Sequence, residues 1–406
     1  MTFVLSLTAS GKTQGVDGKS GEFFKQARRS GLWPEADVVH RSAVTKARKK
    51  LSWTIFDTLL EDAVQLAYDI WPNSSEYTWQ GMTVIAFDGS KYRLPGTAEL
   101  REEFDPESGL EFPGKGHYPQ CLVSTAFDVF RRLPLARTIS PISEGNERED
   151  VKTLLPRLPN QSQILLFDRG YPSYDLIHHL TYAEMPLYFV FRCPATSTFK
   201  AVEDFVKSGQ QEADIWLDTA SHIKRISSSI EENPAIQLRV VRLQSPDGTL
   251  SILITNLLNR DLYSSESLIK LYFRRWKIEE QYRDEKTYLD IETFHSRSEN
   301  GIRQELLAVL IMCVITRTMI ALVTENNPQT KHVPQFKSAI ISLAREAALL
   351  TPVDPVLALK IFKELLVEIS RVKYYKPTKT RKSCIRVSRI PINKWQEDKT
   401  KRIANA

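Results

Sequence analysis

Two short apolar runs that each close on an aspartate constrain this chain more than any other feature. Met82–Phe87 is followed at once by Asp88-Gly89-Ser90, and Ile164–Phe167 by Asp168-Arg169-Gly170-Tyr171. Short apolar runs bounded by turn residues read as buried strands. The chain is therefore expected to hold a sheet with a carboxylate at the end of each of two strands. Gln120–Phe127, Leu133–Ile139 and Leu187–Arg192 are further strand candidates, and the stretches Ser143–Leu158 and Ser173–Glu184 between them read as helices.

The flanks have other periods. Apolar residues recur at three- and four-residue steps over residues 20–70, which predicts a small helical module with a basic face of Arg41, Lys46, Arg48, Lys49 and Lys50. Such a face suits DNA phosphates, although most are simply solvated. Residues 194–257 alternate over Ala213–Leu217, Ile236–Leu243 and Leu250–Thr255, with turn signals at Asn233-Pro234 and Pro246-Asp247-Gly248, so an all-β insertion is expected there. Helical periodicity returns over Ser264–Lys286 and Ile302–Thr324, and two further helices are expected over Val333–Leu350 and Pro355–Ser370.

Composition narrows the class. With 406 residues, 42% hydrophobic and 26% charged, the chain can bury more than one core. Its longest uncharged apolar run, Leu306–Thr316, is too short to span a membrane and reads as a core helix. Met1–Ser10 is apolar but lacks the flanks of a signal peptide, so an intracellular protein is expected. Cys121, Cys193, Cys313 and Cys384 lie far apart, which removes a disulfide framework and a zinc ribbon and leaves buried thiols. The net charge of +6 is unevenly spread: residues 1–50 carry ten Lys/Arg against four Asp/Glu, and residues 371–406 twelve against two. Basic ends around an acidic middle point to a polyanion such as nucleic acid, with solvated tails as the alternative.

Chemistry can sit where carboxylates meet. Asp88 and Asp168 could serve a divalent cation, since Mg²⁺ takes only one or two carboxylates from protein; each alone could equally be a turn residue or a helix cap. On the helix Ser264–Lys286, residues Tyr272, Arg275, Glu279 and Lys286 are separated by 3, 4 and 7 positions and fall on one face. That stripe could meet a charged ligand or be a solvated face with an i,i+4 ion pair. Gly18-Lys19-Ser20 resembles the end of a P-loop, but Thr13 stands where its first glycine should be, and no buried strand precedes it.

Tyr272-x2-Arg275-x3-Glu279-x6-Lys286, together with Asp88-Gly89-Ser90 and Asp168-Arg169-Gly170-Tyr171, resembles the signature of the DDE transposases of the insertion sequence 4 family. The resemblance implies an α/β fold: an RNase H-like (retroviral integrase-like) catalytic core at 76–193 and 258–330, interrupted by a β-rich insertion at 194–257. Helical modules would flank it, an N-terminal DNA-binding one at 1–75 and a basic C-terminal region at 331–406. It implies Asp88, Asp168 and Glu279 as the catalytic triad and as the ligands of two Mg²⁺ ions, with Mn²⁺ as a substitute. Tyr272, Arg275 and Lys286 would contact DNA phosphates.

The implied activity is cleavage of the ends of an insertion sequence, by way of a hairpin, and joining of the 3′-hydroxyl ends to target DNA. Its partners would be double-stranded DNA, as terminal inverted repeats and as target, and a second copy of the chain in a synaptic homodimer. No membrane is expected, and the place of action would be the cytoplasm, at the nucleoid. Trp216 or Trp276 could hold an extruded base, although a core position is the ordinary reading for both. A nuclease of the same fold, or a catalytically silent DNA-binding descendant, stands as the alternative.

Overall fold

The strand runs read from the sequence assemble into one sheet. The computed structural model of the chain describes residues 1–9, 15–29, 33–72, 74–108, 118–184, 187–196, 198–217, 235–244, 248–325, 332–346 and 354–375. Within them β1 (Thr83–Arg93), β2 (Gln120–Asp128), β3 (Leu133–Pro141), β4 (Gln163–Phe167), β5 (Leu187–Pro194), β6 (Glu212–Leu217), β7 (Ile236–Gln244) and β8 (Leu250–Thr255) join in the order β3-β2-β1-β4-β5-β8-β7-β6. The central strands β1, β4 and β5 run parallel, while β2 and β3 on one side and β8, β7 and β6 on the other pair antiparallel. The fold is mixed α/β around this large sheet.

Helices α1 (Thr2–Ala9), α2 (Val16–Arg29), α3 (Arg41–Lys50) and α4 (Thr54–Ile70) precede the sheet, and α5 (Ala98–Phe104), α6 (Glu147–Leu154), α7 (Tyr174–Thr181) and α8 (Lys200–Ser208) lie between its strands. After it come α9 (Ser265–Phe273), α10 (Lys277–Arg283), α11 (Glu299–Glu325), α12 (Phe336–Arg345) and α13 (Pro355–Arg371), with a small ladder of β9 (His332–Pro334) and β10 (Lys373–Tyr375). Their starts are set locally: the side chains of Thr97, Asn146, Ser173, Ser264 and Asp354 each accept a backbone N–H of the first turn of α5, α6, α7, α9 and α13.

The core gathers around α11, which is buried along most of its length and packs against α4, α1, α12, α13 and β3. It is long and apolar enough to cross a membrane by length and composition, but it is the core helix expected from Leu306–Thr316. Its polar residues are answered from within: Thr316 and Thr318 donate to carbonyls one turn back, and its Leu306 carbonyl accepts from Arg137 of β3. Cys121, Cys193 and Cys313 are buried thiols, as expected; Cys384 and the basic tail beyond Tyr375 lie outside the described residues.

Two expectations change. The run Met82–Phe87 does not stop at Asp88: β1 continues through Asp88-Gly89-Ser90 to Arg93, because β2 goes on pairing with it after β4 has ended. The stretch 194–257 is not all β, since α8 opens it, and its three strands extend the edge of the central sheet through β5–β8 pairing. The N-terminal apolar run forms α1, which packs on α11 and α12.

Candidate active site

Sheet register brings the two aspartates together. Ala86 pairs with Leu166 and Phe167 with Phe191 in the parallel ladders, so Phe87, Phe167 and Phe191 stand side by side. Their rings stack at centroid distances of 5.2 Å (Phe87–Phe167) and 4.5 Å (Phe167–Phe191). Asp88 and Asp168 each follow one of these phenylalanines, and therefore sit at the same level on neighbouring strands, turned from the stacked rings by the alternation of a strand. Asp168 does end its strand, whereas Asp88 stands within β1.

The third acid arrives on a helical run that is not uniform. A 3₁₀ turn at Arg274–Trp276 separates α9 from α10, and a π turn at Asp284–Tyr288 follows α10. Tyr272 donates its hydroxyl to Asp168 Oδ1 at 3.2 Å. Arg275 Nη2 lies 3.4 Å from Asp168 Oδ2 and 2.8 Å from Glu279 Oε1. Tyr272 and Arg275 thus meet Asp168, and Glu279 joins them through Arg275. Lys286 does not share their contacts: its amine donates to Ser90 Oγ at 2.8 Å and the Lys91 carbonyl at 2.6 Å, and it lies 4.4 Å from the centre of the Tyr92 ring. The π turn removes it from the expected common face and brings it to β1, just beyond Asp88.

Electrostatics ties the group together. Burial raises the Asp88 carboxyl most, Glu279, Glu147 and Asp168 add to the rise, Arg275 opposes it, and the outcome is about 7. Burial would lower Arg275, but Tyr272, Asp168, Asp88 and Glu279 hold its guanidinium above its usual range. Tyr272 is raised by its burial and, against the pull of Arg275, by Asp168. Desolvation lowers Lys286. Tyr272 and Arg275 are each only 4% exposed, so in this structure their donors face the acids and not solvent.

The donor set has the hard oxygens that Mg²⁺ prefers. Among the described residues, no three Asp, Glu, His or Cys side chains come close enough to share one ion. Two carboxylates per ion suffice when water and phosphate complete the shell. Arg275 supplies the positive charge now standing among the acids, and its Nη1 is buried without a hydrogen-bond partner among the described residues. Asp88, Asp168 and Glu279 therefore fit hard cations in kind.

The sequence reading missed several side chains here. Glu147, at the start of α6, adds its charge to the surroundings of Asp88 and Tyr171 and raises both beyond the effect of burial. Tyr282 donates its hydroxyl to the Asp88 carbonyl at 2.6 Å, and Arg192 Nη1 is 3.9 Å from Asp168 Oδ1. Tyr171 and Tyr282 lie inside quoted motif segments, but nothing in the spacing of Glu147 or Arg192 marks either. Trp216 and Trp276 are 57% and 46% exposed, which overturns a core position for both.

A family model described as the transposase DDE domain matches residues 79–315, more than half of the chain and all of the site. The chain belongs to the DDE transposase family. It is of the insertion sequence 4 type, as the resemblance had it: the Escherichia coli (strain K12) transposase for insertion sequence element IS4 is 23% identical over 294 residues, 70% of this chain and 62% of that protein. A probable transposase for insertion sequence element IS5377 from Geobacillus stearothermophilus is 24% identical over 200 residues, 47% of this chain and 46% of that one. The chain thus spans less than two thirds of the length of these curated relatives. Among solved structures, a cryo-EM structure of a piggyBac transposase synaptic complex with hairpin DNA matches 90% of this DDE transposase and 74% of that chain, at 11% identity and a TM-score of 0.43.

Proposed function

We propose that this DDE transposase cleaves the two ends of an insertion sequence and joins their 3′-hydroxyls to target DNA. The observation that carries the reading is the meeting of Asp88, Asp168 and Glu279, from two adjacent parallel strands and one helix, around a single buried guanidinium. Like charges held within reach of one another cost stability, and such perturbed groups cluster at functional sites. The order β3-β2-β1-β4-β5 supports an RNase H-like core over 76–193 and 258–330, with 194–257 inserted at the sheet edge and helical regions at 1–75 and 331–406.

Asp88, Asp168 and Glu279 would hold two Mg²⁺ ions, or Mn²⁺ in their place. Bound there, the ions would supply an activated water or 3′-hydroxyl and stabilise the leaving 3′-oxygen of an in-line displacement at phosphorus. Tyr272 orients Asp168 through its hydroxyl, and Arg275 keeps the acids compatible while the scissile phosphate is absent. Phosphate oxygens would then compete with the carboxylates for Arg275, whose planar fork suits them. Lys286, anchored beside Asp88 on β1, offers a point cation to the same backbone. A hairpin at the element end and a synaptic homodimer complete the reading.

The full chain, given DNA carrying the element ends, should yield nicked, hairpin and joined products on denaturing gels with Mg²⁺ and none with EDTA. Asp88→Ala, Asp168→Ala and Glu279→Ala should each lower cleavage by ~10²–10³-fold or more and leave end binding within about threefold. These losses are of the size found on removing electrostatic machinery from an active site. Cleavage surviving all three substitutions would overturn the triad, and cleavage without joined products would leave a nuclease.

A further inference from the structure

Glu147 lies against the floor of the site without belonging to any motif. It opens α6, where Asn146 caps the helix and Arg148 donates to the Gly170 carbonyl through Nε at 3.2 Å and Nη2 at 2.8 Å. That contact fixes the start of α6 to the turn that follows Asp168. The Glu147 carboxylate is laid over Gly89, the residue after Asp88, so closely that a Cβ there would stand 2.5 Å from Oε1 and 2.6 Å from Cδ. A Cβ at such distances would make the end of the Glu147 side chain shift, so glycine at position 89 leaves the carboxylate room to lie where it does. Tyr171, 2% exposed, belongs to the other strand's motif, and burial and the charge of Glu147 raise its hydroxyl. Glu147 therefore lies against the Asp88 motif, its neighbour Arg148 holds the Asp168 motif, and its charge adds to the rise of the Asp88 carboxyl.

We propose that Glu147 is a fourth acid of the cation site, contributing a carboxylate oxygen on the Asp88 side. The inference rests on the metal-dependent reading above. Arg275 already offsets one of the three triad charges, so three acids alone leave little negative charge for two dications. A carboxylate has about four lone-pair positions to offer an ion or its water shell. Charge does not favour a carboxylate at this place for packing alone, because it is added to a cluster that is already repulsive.

The test is a Mn²⁺ titration of the full-length protein, with free ion followed by electron paramagnetic resonance. Glu147→Gln keeps the shape and removes the charge, and it should weaken Mn²⁺ binding about 10-fold or more, the usual scale for a supporting ligand. Glu144→Gln, an exposed neighbour, should bind like wild type. Gly89→Ala should displace the carboxylate and weaken binding in the wild-type background, with little further loss when combined with Glu147→Gln. Asp88→Asn separates the two ideas. If Asp88→Asn loses Mn²⁺ while Glu147→Gln binds like wild type, the fourth acid is wrong and the triad stands. If Asp88→Asn also binds like wild type, the metal reading fails and the inference with it. An equal loss from Gly89→Ala in both backgrounds would show that glycine acts by another route, and would remove that support for the contact.

Discussion

Asp88 is where single-residue physics is most exposed to measurement. Its carboxyl ordinarily titrates near 3.8 and here sits at about 7, through burial and through Glu279, Glu147 and Asp168. The folded chain therefore holds a proton that the unfolded chain has released, and stability falls as pH rises from about 4 to about 7, then levels. Asp88→Asn abolishes that dependence. In EDTA at pH 8 the variant should be more stable than wild type by ~1–3 kcal/mol in urea unfolding, and at pH 5 the difference should shrink. Mg²⁺ should close the gap at pH 8 by stabilising the wild type. A variant less stable than wild type at pH 8 would show that Asp88 has a favourable partner in the free chain and is not held against repulsion. At this scale residue type and spacing left Asp88, Asp168, Glu279, Tyr272 and Arg275 as open candidates, and it was their likeness to the insertion sequence 4 signature that singled them out. Glu147 stood out by neither, because a glutamate in a first helical turn is ordinary and its importance comes from a glycine 58 positions away in the chain.

Elements explain what spacing could not. The run 264–288 has no glycine or proline, so its periodicity predicts one uninterrupted helix, yet it carries a 3₁₀ turn and a π turn. Tertiary partners account for the π turn. Glu285, within it and fully buried, accepts from Arg137 Nη2 at 2.9 and 3.0 Å and from the Tyr92 hydroxyl at 2.6 Å, while Asp284 accepts from Arg317 Nη2 at 3.1 Å. Leu289 N reaches the Asp284 carbonyl at 3.2 Å, the five-residue step of a widened turn. Arg137 is also bound to Thr125 and to the Leu306 carbonyl, so one buried guanidinium joins β3, β2, the π turn and α11. Glu285→Ala would leave that guanidinium uncompensated and should cost ~3–5 kcal/mol in chemical denaturation. Lys286→Ala, whose amine is partly exposed, should cost less than ~1 kcal/mol and act on DNA binding instead. Equal costs for the two would mean that the turn is not held by the buried pair. None of these partners is near in sequence, which is why the helix reading failed at Lys286 and held at Tyr272, Arg275 and Glu279.

For the whole molecule, the question is how the basic N-terminal helices are coupled to the sheet. Of the basic residues read on α3, Arg48 faces inward: it donates to the Gly301 carbonyl at 3.0 Å and to Gln304 Oε1 at 3.1 Å, and it pairs with buried Glu305 at 2.8 Å. Asn300 and Gln304 donate to the Arg48 and Leu51 carbonyls, so the end of α3 is capped by side chains of the core helix. Arg41, Lys46, Lys49 and Lys50 remain exposed. A surface helix with one half-buried, fully bonded arginine and four exposed cations is fixed in orientation, and a fixed cationic helix can set the register of DNA on a catalytic core. Each phosphate neutralised contributes about 0.9 to the slope of log affinity against log salt. Replacing Lys46, Lys49 and Lys50 together by alanine should reduce that slope by about two to three, weaken end binding uniformly across DNA sequences and leave the urea midpoint unchanged. Glu305→Gln should behave differently, since it strands Arg48 in the interior: it should lower stability by ~1–3 kcal/mol and slacken end binding through lost orientation, with the salt slope retained. If the triple alanine variant keeps the full salt slope, α3 lies away from the DNA, and the capped arginine serves packing alone.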